Sequence, residues 1–109
     1  MAHHLFTIKK RSTFVHIRDK GVFIRSKNIN VQKLLNQDLD GRIGVGYTAT
    51  RKIGNAVKRN KAKRIMRELA KKVITKYGKK NSYYVIIAKS SIFDISFENQ
   101  KIELEKLIS

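Results

Sequence analysis

The chain has 109 residues, of which 41% are hydrophobic, so it can form one domain with a modest core and is not a disordered basic tail. It carries 25 Lys and Arg against 8 Asp and Glu, a net charge of +17. A charge of this size favours a polyanionic partner, nucleic acid before anionic membrane. The absence of cysteine excludes disulfides and thiolate metal sites and fits a reducing cytoplasm.

The chain is predicted to be a single domain over residues 1–109. No Gly-, Ser- or Pro-rich linker interrupts it, and no apolar run is long enough to span a membrane. Residues 1–8 are expected to form a flexible N-terminal extension. His3 and His4 lie in this extension, and two adjacent histidines are too few ligands to predict a metal site.

The first predicted element is a short helix over residues 12–20. Ser12 is its candidate N-cap and Gly21 its candidate end. Phe14 and Ile17 are three residues apart, so the helix places them on one face.

A strand is predicted next, within residues 23–35, where apolar and polar residues alternate. The polar side of this pattern consists of Asn28, Asn30 and Gln32. A further short strand fits residues 21–25.

A second strand is predicted in RIGVGYTAT, residues 42–50, after the turn sequence NQDLDG. One of its faces carries only small side chains, namely Gly44, Gly46, Thr48 and Thr50. Such a face leaves space for another backbone or a ligand to approach closely.

The strongest helix is predicted over residues 55–77, where apolar residues recur at spacings of three and four. SYYVIIAKS then forms a nearly apolar strand that is expected in the centre of the sheet. Ser96 can cap a last helix through FENQKIELEKLI. These elements predict an α+β fold, a small two-layer sandwich with a sheet of roughly four strands on one side and about three helices on the other.

The start of the strongest helix is the most basic part of the chain. Residues 51–72 contain ten basic residues and one acid, Glu68, a net charge of +9. A spacing of four residues aligns Arg59, Lys63, Arg67 and Lys71 along one face. Repulsion between such neighbours costs about 0.2–0.5 kcal/mol per pair, and phosphates bound along the row would offset it.

The entrance of this helix adds a second attraction for anions. Gly54 and Asn55 precede the first turn, where free backbone N–H groups and the positive end of the helix dipole can hold an anion. The pattern predicts a phosphate-binding surface, and its plainer alternative is a basic face that is merely solvated.

No catalytic residue is predicted. The sequence contains no evident carboxylate pair, His–Asp cluster or activated nucleophile, and Glu68 is expected to pair with a neighbouring Arg or Lys. No protein-held metal is predicted either.

The stretch GYTATRKIGNAVKRNKAKRIMREL, residues 46–69, resembles the signature of the bacterial ribonuclease P protein subunit. That pattern has an Arg-Asn-Arg helix start preceded by Gly-Asn-Ala-Val, and here its centre reads Arg59-Asn60-Lys61. Lys61 keeps the charge of the usual Arg but loses its planar fork. The resemblance also covers KKRSTFVHIRDKG, YYVIIAKS and the last helix beginning SFE, and so extends over nearly the whole chain.

The resemblance implies a cytoplasmic endoribonuclease subunit that joins a catalytic RNA, with one protein per RNA. The complex removes the 5′ leader from precursor tRNA by Mg²⁺-dependent hydrolysis, and the RNA carries the chemistry and holds most of the Mg²⁺. The resemblance also implies a fold like that of a ribosomal small-subunit domain, with a left-handed crossover after the strand that precedes the motif. General rules alone would predict a right-handed crossover.

Two binding surfaces follow from the resemblance. The catalytic RNA is expected on the basic helix start, at Arg51, Lys52, Asn55, Lys58, Arg59, Asn60, Lys61, Lys63, Arg64, Arg67 and Lys71. The single-stranded leader is expected in a cleft between the sheet and the first helix, at Phe14, Arg18, Asn30, Gln32 and Thr48. Phe14 either stacks on a base or packs in the core. Arg18 and Gln32 stand where relatives have aromatic residues, so charge and hydrogen bonds are expected to replace part of the stacking.

Three other functions are compatible with part of this sequence pattern. A ribosomal or chaperone-like RNA-binding protein without a role in cleavage would have the same charge and size, but it does not need the ordered motif GNAVKRNKAKR. The strong strands disfavour a DNA-binding helix-turn-helix module. A lipid-binding amphipathic helix is disfavoured because the core needs its apolar stripe.

Overall fold

The computed structural model describes residues 5–109. Its five strands are β1 (Leu5–Thr7), β2 (Val22–Ile24), β3 (Ile29–Leu35), β4 (Ile43–Thr48) and β5 (Ser82–Ala88). Its main helices are α1 (Arg11–Lys20), α2 (Ala56–Leu69) and α3 (Phe97–Ile108). The path of α2 continues through a π-helical segment, Ala70–Ile74, and a last α-helical turn, Thr75–Tyr77. Short 3₁₀ turns cover Gln37–Leu39, Arg51–Ile53 and Ser90–Asp94.

The strands form one mixed sheet in the order β1-β4-β5-β3-β2. β4 runs parallel to both β1 and β5, and β3 runs antiparallel to both β5 and β2. Ile87 on β5 is opposite Thr48 on one side and Asn30 on the other, and Val85 is opposite Gly46 and Gln32. α2 connects the parallel neighbours β4 and β5, and the hand of this crossover stays a prediction from the resemblance.

Helices cover both faces of the sheet. On the main face, α2 and α3 bury alternate residues of the three central strands, such as Ile29, Val45 and Ile86, against Met66 and Leu104. On the second face α1 is the only long helix in the described part of the chain, and the buried hydrophobic residues there are Ile8, Ile17 and Val85.

The predicted α+β class with three helices is confirmed, and two of its details are wrong. The sheet has five strands instead of about four. The helices do not all lie on one side, because Val85 and Ile86 of β5 point to opposite faces and are both about 1% exposed or less. A central strand that is apolar on both faces needs cover on both.

The extra strand lies in the segment that was expected to be a flexible extension. Leu5–Thr7 pair with β4, and the Ile8 N–H donates to the Val45 carbonyl at 2.9 Å. Ile8 is only 6% exposed, so burial of this side chain ties the segment down. Residues 1–4, including His3 and His4, lie outside the described residues.

The ends of the helices test the capping predictions. α1 begins at Arg11, and its N-cap is Lys10, which makes no side-chain cap bond, so the prediction of Ser12 as N-cap is wrong. The N-cap lies two residues earlier than predicted because the Lys10 carbonyl accepts from the N–H groups of Thr13 and Phe14.

Two other helix ends agree with the predictions. Gly21 ends α1, and a Cβ there would lie 2.6 Å from the carbonyl oxygens of Ile17 and Lys33. The Ser96 hydroxyl caps α3 by accepting from the Asn99 N–H at 3.1 Å. Within residues 5–109, no helix combines the length and the hydropathy that a membrane crossing requires.

Candidate nucleic-acid interface

The first part of the candidate interface is the start of α2. The Asn55 side chain caps the helix by accepting from the Lys58 N–H at 3.0 Å. Gly54 has φ +136°, a conformation that L residues rarely adopt, and a Cβ there would lie 2.8 Å from Lys58 Cδ. Gly54 and Asn55 therefore fix the entry of the chain into the helix.

Arg59, in the first turns of α2, stabilises this entry through a hydrogen bond to Gly54. Its Nη1 donates to the Gly54 carbonyl at 2.8 Å, and the side chain is half-buried. A guanidinium has five N–H groups, so most of its donors are not used by this bond. Arg59 thus stabilises the start of α2 and also holds its charge in a fixed position, where its other N–H groups can bind an anion.

Most of the predicted RNA-binding residues are exposed. Only Arg59 and Lys63 are half-buried, and the remainder face solvent: Arg51, Lys52, Asn55, Lys58, Asn60, Lys61, Arg64, Arg67 and Lys71. We call these eleven residues the basic helix start. Their exposure leaves them accessible to a polyanion.

The basic helix start spreads over more than one flank of α2. Lys63 and Arg67 lie on the flank of β4 and β1, where both contribute to hollows that Tyr47 also lines. Lys61 lies on the other flank, with its ammonium 5.5 Å from the centre of the Phe93 ring. Glu68 pairs with Lys71 at 3.7 Å, which confirms the predicted partner type.

Tyr47 lies beside this flank, and the pKa of its side chain is shifted. Burial raises the pKa of its phenol, and the nearby Arg67 charge partly opposes that rise. The phenol therefore stays protonated at neutral pH and keeps its O–H as a hydrogen-bond donor.

The second part of the candidate interface is a groove between α1 and the second face of the sheet. One section, about 230 Å³, runs from α1 to the strand residues Gln32 and Ile87. A neighbouring section, about 400 Å³, extends to Lys63 on α2. We call the two sections the groove, because both are lined by Arg11, Phe14 and Thr48.

Phe14 occupies the space above the small-residue face of β4. A Cβ on Gly46 would lie 2.5 Å from the Phe14 ring, and a Cβ on Gly44 would lie 2.7 Å from the Phe6 ring. The prediction that these glycines leave open space is therefore wrong, because aromatic rings of the chain itself fill it. Phe14 packs beside Val85 and also lines the groove, so its two predicted roles are not exclusive.

The structure brings four of the five predicted leader-binding residues together. Phe14, Arg18, Gln32 and Thr48 line one section of the groove. Arg18 donates from Nε to Asp19 at 3.1 Å, an exposed pair that a phosphate can displace. That any of these residues contacts a leader stays a prediction.

Asn30 is the fifth predicted leader-binding residue, and its side chain forms a hydrogen bond within a turn. Its Oδ1 accepts from the Ser26 N–H at 3.0 Å, which supports the turn between β2 and β3. It does not line the groove. Strand alternation placed Asn30 on the correct face, but its local turn bond could not be read from that pattern.

Asn28, the other polar residue of this strand pattern, lies away from the groove. It is 5% exposed, and its amide donates to Glu103 Oε1 at 2.8 Å. The N–H groups of Asn28 and Ile29 donate to Glu103 Oε2 at 2.8 and 3.1 Å. Burial alone would raise the pKa of Glu103, but hydrogen bonds from Ser26, Asn28 and Ile29 together hold it below the usual value.

Three groove residues that carry a charge or a hydroxyl group were not predicted as site residues: Lys9, Arg11 and Tyr47. A signal for the first two was present, since KKR at residues 9–11 places basic side chains at the start of a helix. That placement is unfavourable for the helix dipole, as in α2, and suggests an anionic partner. Within residues 5–109, no three His, Cys, Asp or Glu side chains come together as metal ligands.

Comparisons with known proteins identify the family of the chain. A family model described as Ribonuclease P matches residues 3–109. The ribonuclease P protein component of Caulobacter vibrioides is 37% identical over 82 residues, which are 75% of this chain and 54% of that protein. The match thus spans about half the length of this relative. The Bacillus velezensis component is 32% identical over 100 residues, 92% of this chain and 84% of the relative.

Solved structures show the same fold. The Staphylococcus aureus RNase P protein matches with a TM-score of 0.79 and 28% identity, covering 94% of this chain and 91% of that one. The Thermotoga maritima RNase P protein matches with a TM-score of 0.82 and 24% identity, covering 94% of each chain. From its family match, its relatives and its fold, this chain belongs to the bacterial ribonuclease P protein family.

Proposed function

We propose that this chain is the ribonuclease P subunit that binds the catalytic RNA and the 5′ leader of precursor tRNA. One protein joins one RNA in the cytoplasm, and the complex removes the leader by Mg²⁺-dependent hydrolysis to give the mature tRNA 5′ end. The protein positions substrate and RNA, and the RNA carries the chemistry.

The observation that carries this proposal is the junction between the two parts of the interface. Lys63 belongs to the basic helix start and also lines the groove, next to Phe14 and Thr48. A polynucleotide held on the helix is therefore adjacent to a single strand held in the groove. This arrangement suits a protein that aligns two RNA segments.

The basic helix start acts through phosphates. Its exposed cations neutralise backbone charge and release condensed counterions, which gives affinity without reading sequence. Arg59 is held by Gly54 before any ligand arrives, so less side-chain freedom is lost when a phosphate binds.

The groove acts on an unpaired strand. Arg11 and Arg18 supply charge along the wall formed by α1, and Gln32 and Thr48 supply hydrogen-bonding groups from the sheet. Phe14 is half-buried against Gly46, so it offers only part of its surface for contact with a base.

In this proposal Mg²⁺ is held mainly by the RNA. Bound Mg²⁺ stabilises developing charge on the phosphate and activates the attacking water. The role of the chain's own cations is to reduce the repulsion between the phosphates of substrate and catalytic RNA.

Precursor-tRNA cleavage tests the proposal. A bacterial ribonuclease P RNA is assayed at low, near-physiological Mg²⁺ with and without this protein, and the cleavage site is mapped. We expect cleavage at the mature 5′ end only when the protein is present. Binding to the RNA without rescue of cleavage would indicate a ribosomal or chaperone-like protein instead, and cleavage by protein free of RNA would mean that the chain has its own active site.

A further inference from the structure

A second cavity lies at the opposite end of the sheet from the groove. It has a volume of about 400 Å³ and is found where α1 ends, β3 ends and β5 begins. Its apolar lining includes Val22, Leu34, Leu35 and Tyr84. Three lysines from separate parts of the chain, Lys20, Lys33 and Lys79, also line it, and we call it the lysine pocket.

Among residues 5–109, no acidic side chain neutralises the charge of the lysine pocket, since none of the residues that line it is Asp or Glu. The ion pairs found within residues 5–109 are Arg18–Asp19, Glu68–Lys71 and Glu98–Lys101, so none involves a pocket lysine. Three cations around one cavity repel each other unless an anion lies between them.

Two of these lysines are placed by fixed backbone contacts. The Lys79 N–H donates to the Tyr84 hydroxyl at 3.0 Å, and Tyr84 is 1% exposed. The Lys33 carbonyl packs so closely on Gly21 that a Cβ on Gly21 would lie 2.6 Å away. Lys33 also interrupts an apolar series, since Ile29 and Val31 precede it at the same face of β3 and are fully buried.

The lysine pocket also exposes apolar surface that the fold does not use. Val22 is 58% exposed and Leu35 is 66% exposed, and each lies at the cavity. Its ligand therefore combines an apolar body with at least one anionic group.

We propose that the lysine pocket binds one unpaired nucleotide of the RNA partner, with the base against the apolar lining and its phosphates on the lysines. This inference rests on the proposed function. A cavity of this volume accommodates a single small ligand, and lysines bind phosphate as point charges without a fixed geometry. On a chain of net charge +17, a nucleotide supplies both the apolar body and the anion.

Amide chemical shifts on the isotope-labelled full chain locate the binding. The titrants are adenosine 5′-monophosphate, inorganic phosphate, adenosine and decanoate. We expect the monophosphate to give saturable shifts at Gly21, Lys33, Leu35 and Ser82, with a weaker response to phosphate or adenosine alone. Saturable shifts there from decanoate but not from the monophosphate would overturn the proposal in favour of a lipid-like carboxylate.

Affinity for a bacterial ribonuclease P RNA tests the same site in the complex. Lys33→Met removes the charge and keeps the apolar stem, and Lys106→Met removes an exposed charge on α3 outside the pocket and the interface. We expect Lys33→Met to weaken binding about three- to tenfold and to lower the salt slope by about one, the change for one lost phosphate contact. Lys106→Met is expected to weaken it less than twofold.

Leu35→Ser tests the apolar lining of the lysine pocket, since it should weaken RNA binding and leave the salt slope unchanged.

Two outcomes separate this proposal from the proposed function. If the wild type binds the RNA normally and Lys33→Met and Lys106→Met have equal effects, the nucleotide site in the lysine pocket is overturned and the proposed function is not. A wild type that binds no ribonuclease P RNA would overturn the proposed function, and the pocket proposal with it.

Discussion

The two faces of the sheet are packed very differently. On the main face, two helices bury a large cluster that includes Ile43, Met66, Leu69 and Leu104, all 0% exposed. On the second face, the buried hydrophobic cluster of the described residues contains Ile8, Ile17 and Val85, and Phe14 is half-buried beside them. The second face also carries the groove.

This difference in packing indicates that the main face provides most of the stability and that the second face provides a binding surface. A thick core on the main face holds α2 rigidly, so its basic start is presented by a fixed element. A thin layer on the second face leaves the strand ends accessible beside α1. Substitutions on the main face should therefore lower stability most, and substitutions on the second face and the helix start should affect binding more.

The largest effect is expected on the main face, at Glu103. Glu103→Ala would leave the Asn28 amide and the N–H groups of Asn28 and Ile29 without their acceptor in a partly buried site. We expect the free energy of unfolding to fall by about 2–4 kcal/mol, measured by urea denaturation. Glu98→Ala on the same helix is the control, since it removes an exposed pair worth at most about 1 kcal/mol.

The pH dependence of the same variant sharpens this prediction. The pKa of Glu103 is lower in the folded state than its ordinary value of 4.5, so the unfolded chain binds more protons as the pH falls. The contribution of Glu103 is complete above that value and is lost as the pH falls through the lower folded-state pKa. The difference in stability between wild type and Glu103→Ala should shrink below about pH 4.5, and a constant difference would contradict the assigned role.

The next effect is expected on the second face, at Gly46. Gly46→Ala places a methyl group 2.5 Å from the Phe14 ring, so α1 or the ring must move. We expect a loss of about 1–3 kcal/mol in the free energy of unfolding, measured by thermal and urea denaturation. In a Phe14→Ala background the same change should cost little, and an equal cost in both backgrounds would show that the ring does not fill this space.

A smaller effect in free energy, but one specific to binding, is expected at the basic helix start. Arg59→Ala combined with Arg64→Ala should weaken binding to a ribonuclease P RNA about tenfold, or about 1.4 kcal/mol. The salt slope should become shallower, because fewer counterions are released. Circular dichroism should show an intact fold, and an unchanged salt slope would remove these residues from the interface.

The smallest effect is expected at two helix caps, which act as a matched pair. Asn55 caps α2 and Ser96 caps α3, each by accepting a backbone N–H from three residues ahead. Replacement of either by Ala should lower stability by about 1 kcal/mol. Asn55→Ala should also weaken RNA binding, and Ser96→Ala should not. Equal RNA affinities would limit Asn55 to a structural role.

The two parts of the interface differed in how far they could be predicted. The basic helix start is local in sequence, because Arg59 bonds Gly54 five residues earlier, Asn55 caps the helix three residues before Lys58, and the cations follow at helical spacing. Four of the five predicted leader-binding residues line the groove, and they were chosen through the resemblance and strand alternation. The role of Asn30 was missed because its turn bond to Ser26 competes with any ligand.

The sequence by itself determined the α+β class, the three helices, the order of most elements and the basic helix start, since these depend on periodicity, capping and charge along the chain. Only the tertiary structure decided which separated residues meet. It pairs the backbone of Ile8 with β4, packs the Phe14 ring against Gly46, and hydrogen-bonds Asn28 to Glu103. These contacts depend on strand order and register, and side-chain spacing along the chain carries no information about which strands become neighbours.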